Sequence, residues 1–220
     1  MKKYVLTCLI FMLFVWSSSG YAYPERFDVI IDVGHGGIDG GTVSPNNMLE
    51  KDLNLEIGKK LYQKLMDQGY NVGITRLRDY ALSDDSRLGI RSRHLRDLTQ
   101  RKLIADALKP KLFISIHMNA AAKESRRGPL VIYQASEKSY AVAQLLQQHL
   151  NEVYKMKKWP LKGKSYFLMK HLEMPSVIVE VGYMSNPRDL AMLTDEAMQT
   201  QLVDAMAHSI GEYFLVYPVD

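Results

Sequence analysis

The stretch VIIDVGHGG, residues 29–37, gives the first indication of the fold. Its β-branched residues form an unbroken apolar run, which is typical of a strand buried on both faces in a parallel sheet. The run ends on Asp32, and His35 follows in a loop whose glycines allow a tight turn. The sequence therefore predicts a buried strand that presents an imidazole just beyond its carboxyl end.

Further apolar runs alternate with helical patterns along the chain. The predicted strands are 27–32, 70–76, 112–117, 129–134, 165–170 and 175–182. The first predicted helix covers 50–68 and ends at Gly69, and the second ends before Pro110. The third begins after the capping residue Ser136, the fourth begins at Asn186 and Pro187, and the last begins at Thr194. This alternation predicts an α/β fold, with a single domain over 26–216, a mostly parallel twisted sheet of about six strands and helices on both faces.

The first 22 residues have the pattern of a secretory signal peptide. Lys2 and Lys3 precede an apolar stretch that ends near Trp16, and the small residues of SSSGYA then offer a cleavage site. An uncleaved membrane anchor is the alternative, although the stretch is shorter than the roughly 20 residues that span a bilayer. The only cysteine, Cys8, lies in this segment, so we expect no disulfide in the mature protein.

The charge of the chain argues against a nucleic-acid partner. The 220 residues carry a formal net charge of +4, and a cleaved signal would take Lys2 and Lys3 with it. The remaining excess of positive charge is too small to indicate binding to a polyanion.

Chemically competent side chains recur where the predicted strands end. His35 follows the first strand, His117 ends the third, and Glu180 lies near the end of the last. Glu50 opens the first helix after a Gly- and Asn-rich loop that can return it to the same edge of the sheet. Because ligands of parallel sheets gather at the carboxyl ends of the strands, we expect these side chains to converge.

Two imidazoles with one carboxylate form a ligand set of catalytic zinc, and the absence of thiolates and of an all-oxygen set favours zinc over other metals. Each residue also has a purely structural interpretation: a loop or core histidine, or an acid at the positive end of a helix dipole. Asp32 is either an acid that orients His35 or a turn residue, and Asn119 either holds a loop or contacts substrate. The other histidines are interpreted as non-ligands, because His94, His149 and His208 lie in predicted helices and His171 follows a predicted strand.

Five segments in order resemble the zinc-dependent N-acetylmuramoyl-L-alanine amidases of bacterial cell walls, and the resemblance covers nearly all of residues 27–216. The segments are IIDVGHGGIDGG, EKDLNLEIGKKL, VGITRLRD, LFISIHMNA and PSVIVEVGYMSN. The resemblance implies that His35, Glu50 and His117 bind zinc and that Glu180 is the catalytic acid/base. It also implies hydrolysis of the amide between N-acetylmuramic acid and the L-alanine of the peptidoglycan stem peptide.

The short chain and the arginine-rich segment RLGIRSRHLRDLTQRKLI look most like the germination-specific amidases of spore formers. That subtype implies a role in cortex maturation through muramic lactam formation. We expect action outside the cytoplasm, at the wall or between the membranes of the developing spore, with membrane contact only through an uncleaved N-terminal segment. The sequence leaves open whether a partner protein activates the enzyme or loads its zinc. The alternative functions are a zinc peptidase that cuts within the stem peptide and a catalytically silent wall-binding protein.

Overall fold

The structure, a computed structural model, describes residues 26–218 and contains one six-stranded sheet. The signal peptide predicted for residues 1–22, with Cys8, lies outside the described residues. The strands are β1 (Val29–Val33), β2 (Val72–Ile74), β3 (Leu112–Asn119), β4 (Leu130–Tyr133), β5 (Leu161–Lys162) and β6 (Ser176–Tyr183). Over residues 26–218, no helix is both long and apolar enough to cross a membrane.

The sheet is mostly parallel, as predicted. Its strand order is β2-β1-β3-β6-β4-β5, and each neighbouring pair runs parallel except β4 with β6. All five residues of β1 are buried, which confirms that VIIDV is a central strand. The carboxyl ends of β1, β3 and β6 therefore lie side by side at one edge of the sheet, where the loops that leave them meet.

The helices are α1 (Glu50–Asp67), α2 (Arg93–Leu108), α3 (Glu137–Tyr154), α4 (Phe167–His171), α5 (Pro187–Thr194) and α6 (Glu196–Val216). They cover both faces of the sheet because successive strand residues point to opposite sides. One face packs on α1, α3, α5 and α6 through residues such as Ile31, Leu61 and Met206. The other packs on α2 and α4 through residues such as Ile30 and Ala105.

The helix boundaries follow local capping chemistry. The Ser136 and Asn186 side chains accept hydrogen bonds from the first backbone amides of α3 and α5, as predicted. Thr194, which we expected to open the last helix, instead ends α5. Asp195 caps α6 through a bond from the amide of Met198, since its carboxylate is the better N-cap.

The strand predicted at 165–170 is wrong, because Phe167–His171 form the short helix α4. Leu168, Met169 and Leu172 pack into the core at helical spacing, and periodicity alone does not separate so short an apolar run from a strand. His171 therefore ends a helix, not a strand. The sixth strand is instead the two-residue β5 at Leu161–Lys162, whose two exposed side chains are too few to show a strand pattern.

Candidate metal and catalytic site

His35 lies in the loop after β1 with both ring nitrogens held by carboxylates. Its Nε2 is 3.2 Å from Oε2 of Glu50, and its Nδ1 is 2.9 Å from Oδ2 of Asp39. The backbone of His35 is left-handed, with φ of 58°, a conformation that costs energy in a non-glycine residue. Such strain persists where the surroundings fix it and is common at functional sites.

Glu50 is the first residue of α1 and is almost fully buried, with 3% of its surface exposed. Its Oε2 accepts a hydrogen bond from the backbone amide of Thr42, and its Oε1 accepts one from the amide of Met118. The loop from 36 to 49 thus returns the chain to the edge of the sheet, as the sequence predicted. Burial alone would raise the pKa of Glu50, but hydrogen bonds from His117 and His35 hold it far below the ordinary carboxyl value.

His117, near the end of β3, completes the cluster, with its Nδ1 3.0 Å from Oε1 of Glu50. The ring lies directly over Gly34, where an added Cβ would be 2.4 Å from its Nε2. Gly41 leaves similar room, because a Cβ there would be 2.7 Å from Oε2 of Glu50 and would need a left-handed backbone at φ of 67°. Because Gly34 and Gly41 have no side chains, they leave the room in which the two imidazoles and the carboxylate lie together.

The three side chains have the chemistry and spacing of a metal site. One ligand atom from each of His35, Glu50 and His117 lies within 4.8 Å of the others. Two atoms bound to one tetrahedral zinc at about 2.0–2.1 Å would lie about 3.3 Å apart. The nitrogen-to-oxygen separations are close to that spacing, at 3.2 Å from His35 to Oε2 of Glu50 and 3.0 Å from His117 to Oε1.

Without a metal, this arrangement favours a charged imidazole. Burial alone would lower the pKa of His35, but the Glu50 and Asp39 carboxylates raise it to about 9. A cation is therefore favoured between these groups, and either a proton or a metal ion can supply the positive charge.

Glu180 lies in β6 directly beside His117 in the strand register. Its Oε2 is buried and has no hydrogen-bond partner among the residues that the structure describes. Burial raises the pKa of the carboxyl above its ordinary value, against the opposing effect of His117. Both side chains line a cavity of about 410 Å³ whose other walls include Leu98, Leu168 and Ile178. A buried, unpaired carboxylate beside an open cavity is suited to proton transfer.

Asp32 does not orient His35, and Asn119 makes a backbone contact that holds a loop. The Nδ1 of His35 is bonded to Asp39, whereas the Asp32 carboxylate accepts hydrogen bonds from Arg101, Ser115 and Thr75. Asp32 points to the opposite face because it alternates with the β1 residues that pack on α1. The backbone carbonyl of Asn119 accepts a bond from the amide of Met184, which supports the loop-holding alternative.

Two buried arginines fix the loop that carries His35, and sequence reasoning missed both. Arg101 of α2 donates to the carbonyls of Val33 and His35, and Arg76 donates to the carbonyls of Val33 and Gly34. Both side chains are at most 2% exposed. Only their unusual burial identifies them, because as sequence letters they are indistinguishable from surface arginines.

Replacing Asp32 with alanine is expected to lower the free energy of unfolding by about 3 kcal/mol, because Arg101 stays buried with only Asp97 as its carboxylate partner. Urea unfolding measures the change. The control is Asp106→Ala, which removes a partly exposed pair with Lys102 and should cost no more than about 1 kcal/mol. Equal losses in the two variants would contradict a special role for Asp32.

The Asp32 carboxylate also makes the free energy of unfolding depend on pH. Burial would raise the pKa of Asp32, but Arg101 and Ser115 hold it below its ordinary value. The stabilisation is complete above the unfolded-state pKa of about 3.9 and is lost as the pH falls through the lower folded-state pKa. The Asp32→Ala variant should therefore lose less stability than the wild type on acidification below about pH 4.

Comparison with known proteins agrees with this geometry. The sequence model of the N-acetylmuramoyl-L-alanine amidase family Amidase 3 matches residues 29–212. A germination-specific N-acetylmuramoyl-L-alanine amidase of Bacillus subtilis (strain 168) is 30% identical over 190 residues, which are 84% of this chain and 79% of that protein. A probable cell wall amidase LytH of Staphylococcus epidermidis is 29% identical over 84% of this chain and 58% of its own length.

A solved structure has the same fold. The CwlD amidase from Clostridioides difficile, determined in complex with the GerS lipoprotein, superposes with a TM-score of 0.80 at 30% identity, over 87% of this chain and all of that one. The family match spans every element from β1 to most of α6 and includes the whole cluster around Glu50. The chain therefore belongs to the N-acetylmuramoyl-L-alanine amidase family, whose members hydrolyse the amide that joins N-acetylmuramic acid to the peptidoglycan stem peptide.

Proposed function

We propose that His35, Glu50 and His117 hold a zinc ion and that Glu180 is the general acid/base of the amidase reaction. The observation that carries this proposal is the contact of one buried carboxylate with two imidazoles beside a second, unpaired carboxylate. Three protein ligands leave one zinc position open for water and substrate, which is the arrangement of catalytic zinc sites. A catalytically silent wall-binding protein has no need of this combination.

In this proposal the metal site activates water and substrate, and Glu180 transfers the proton. Zinc, when bound, lowers the pKa of a water molecule to about 7 and polarises the scissile carbonyl. Glu180 takes a proton from the attacking water and delivers it to the nitrogen of the leaving L-alanine. The raised pKa makes the Glu180 carboxylate a stronger base toward the water proton, and its protonated form is still acidic enough to donate that proton to the leaving amine.

Asp39 is a positioning residue in this proposal, because it bonds the ring nitrogen of His35 that faces away from Glu50. Such a carboxylate fixes the tautomer and ring orientation of a metal-binding histidine. Asp39→Ala is expected to weaken zinc affinity by about 10- to 100-fold, as measured by competition with a chromophoric chelator.

The matched control for this prediction is Asp79→Ala. That carboxylate contacts the same loop through Lys51 and the Gly37 amide but touches neither imidazole. Unchanged zinc affinity in Asp39→Ala, or an equal loss in Asp79→Ala, would contradict the positioning role.

Product analysis separates the amidase from the alternative zinc peptidase, because the site chemistry serves either bond. Purified peptidoglycan is digested with the zinc-loaded protein, and the products are identified by mass spectrometry. The amidase releases free peptides that begin with L-alanine. Fragments cut between two amino acids, with L-alanine still on muramic acid, would support the peptidase instead.

We also propose a role in spore cortex maturation, outside the cytoplasm, in which removal of stem peptides permits muramic lactam formation. The likeness to a germination-specific relative supports this role. The predicted signal peptide in residues 1–22, or an uncleaved anchor in its place, supplies export. Cortex muropeptides from a deletion strain should lack muramic lactam, and a normal lactam content would contradict the role.

A protein partner that activates the enzyme or loads its zinc is part of the same proposal. It is supported by the C. difficile relative, whose structure was determined with a lipoprotein. Affinity capture of the tagged chain from sporulating cells, followed by zinc measurement with and without the captured protein, tests it. A chain that gains full zinc occupancy and activity alone does not need the partner.

A further inference from the structure

A second cluster of metal-binding side chains lies between α3 and α6, in neither the catalytic loop nor its cavity. His149 of α3 places its Nε2 3.0 Å from Oε2 of Glu212, and His208 of α6 places its Nε2 3.3 Å from Oε1 of the same carboxylate. One ligand atom from each residue lies within 4.8 Å of the others. The family chemistry derived above leaves this cluster unused.

The cluster repeats the arrangement around Glu50 in three respects. One carboxylate contacts two imidazole nitrogens, one on each oxygen, in both clusters. The two rings meet edge to face in both, with centroids 5.0 Å apart at 79° for His35 and His117, and 4.8 Å apart at 82° for His149 and His208. The nitrogen-to-oxygen separations again fit the roughly 3.3 Å between two ligands of one tetrahedral zinc.

A second carboxylate lies near one imidazole of the cluster. Glu152 places its Oε2 3.6 Å from Nδ1 of His149, on the side of the ring that faces away from Glu212. The corresponding contact of His35 is closer, since Oδ2 of Asp39 lies 2.9 Å from its Nδ1. At 3.6 Å the Glu152 contact is too long for a hydrogen bond, so it adds negative charge beside the His149 ring without fixing the orientation of the ring.

The backbone that carries the cluster is rigid. His208 and Glu212 are one turn apart on α6, and His149 and Glu152 are nearly one turn apart on α3, so each pair lies on one helix face. The two helices pack through fully buried residues that include Leu146, Leu150 and Met206. The core therefore fixes the backbone positions of the three residues, while the 62% exposure of His208 leaves the site open to solvent.

We propose that His149, His208 and Glu212 form a second zinc site, which ties α3 to α6 and stabilises the domain without taking part in catalysis. Two imidazoles and a carboxylate are borderline donors that suit zinc better than magnesium or calcium. A metal bound only by the folded chain raises the unfolding temperature, so the site makes the stability of the enzyme depend on zinc.

The test is a zinc count on the full chain, stripped with a chelator and dialysed against Zn²⁺ alone. The wild type should bind two zinc ions, and His208→Ala and His35→Ala should each bind one. The double variant, which combines His35→Ala with His208→Ala, should bind none. The matched control His171→Ala, an exposed histidine of α4, should bind two. His208→Ala should keep the amidase activity of the wild type.

Thermal unfolding of the His35→Ala background supplies a second measurement. Zinc should raise the unfolding temperature of His35→Ala and leave that of the double variant unchanged. If the cluster were only a set of ion pairs, zinc would not change the unfolding temperature of His35→Ala, and adding His208→Ala would lower that temperature by the same amount with and without zinc.

The outcomes separate this inference from the proposed function. A His208→Ala variant that binds as many zinc ions as the wild type would overturn the second site. A His35→Ala variant with wild-type zinc content and activity would overturn the catalytic site and leave the second one standing.

Discussion

Replacing His35 with alanine is expected to remove one zinc equivalent and to lower amidase activity by at least about 10³-fold. Zinc supplies several kcal/mol of charge stabilisation in the transition state, and each 1.4 kcal/mol or so is worth a factor of ten in rate. Only Glu50 and His117 would remain as ligands, and two protein ligands are fewer than catalytic zinc sites use. Zinc content and the release of stem peptides measure the two effects on the same preparation.

His171→Ala is the matched control for this experiment, because His171 is exposed at the end of α4 and contacts no other ligand candidate. It should retain both zinc and activity. Near-normal activity in His35→Ala would show that the cluster around Glu50 is not the catalytic metal site. Circular dichroism checks that the variant keeps the wild-type fold.

Replacing Glu180 with glutamine is expected to lower activity by about 10²- to 10⁴-fold while the zinc content stays the same. The amide keeps the size of the side chain but cannot accept the proton of the attacking water. Glu180 should not be needed for metal binding, because His35, Glu50 and His117 already form a ligand set. Single-turnover kinetics on a defined muropeptide, with zinc measured in parallel, separates the two functions.

The control for this variant is Glu173→Gln, a change at an exposed glutamate before β6, which should leave activity unchanged. Loss of zinc in Glu180→Gln would make Glu180 a ligand, contrary to its assignment. Full turnover in that variant would mean that a different residue moves the proton. The loss of a buried, unpaired carboxylate should also stabilise the fold slightly, since burial disfavours its charge.

The sequence predicted the architecture well where the apolar pattern was long. The β-branched runs of β1, β3 and β6 and the spaced leucines of α1 gave these elements the correct type, and the α/β fold and the family resemblance are confirmed. The prediction failed at 165–170, because a single turn of helix and a short strand bury apolar residues with nearly the same local pattern. It missed β5 because that strand is two exposed residues long.

The candidate site was predictable in part. His35, Glu50, His117 and Glu180 were found because parallel strands end at a common edge, and the structure brings the first three together and puts Glu180 beside His117. Asp39 was missed because its bond to His35 depends on the left-handed turn between them. The roles of these residues in zinc binding and proton transfer stay predictions.

The sequence by itself determined which segments are buried, since apolar periodicity is a local property, and it determined the family, since the motifs are local too. Only the tertiary structure decided which polar groups meet. It paired Arg101 of α2 with Asp32 of β1, left Oε2 of Glu180 without a hydrogen-bond partner among residues 26–218, and joined His149 to Glu212 between two helices. These contacts link residues far apart in the chain, so their distances and their desolvation depend on how whole elements pack, which no local pattern records.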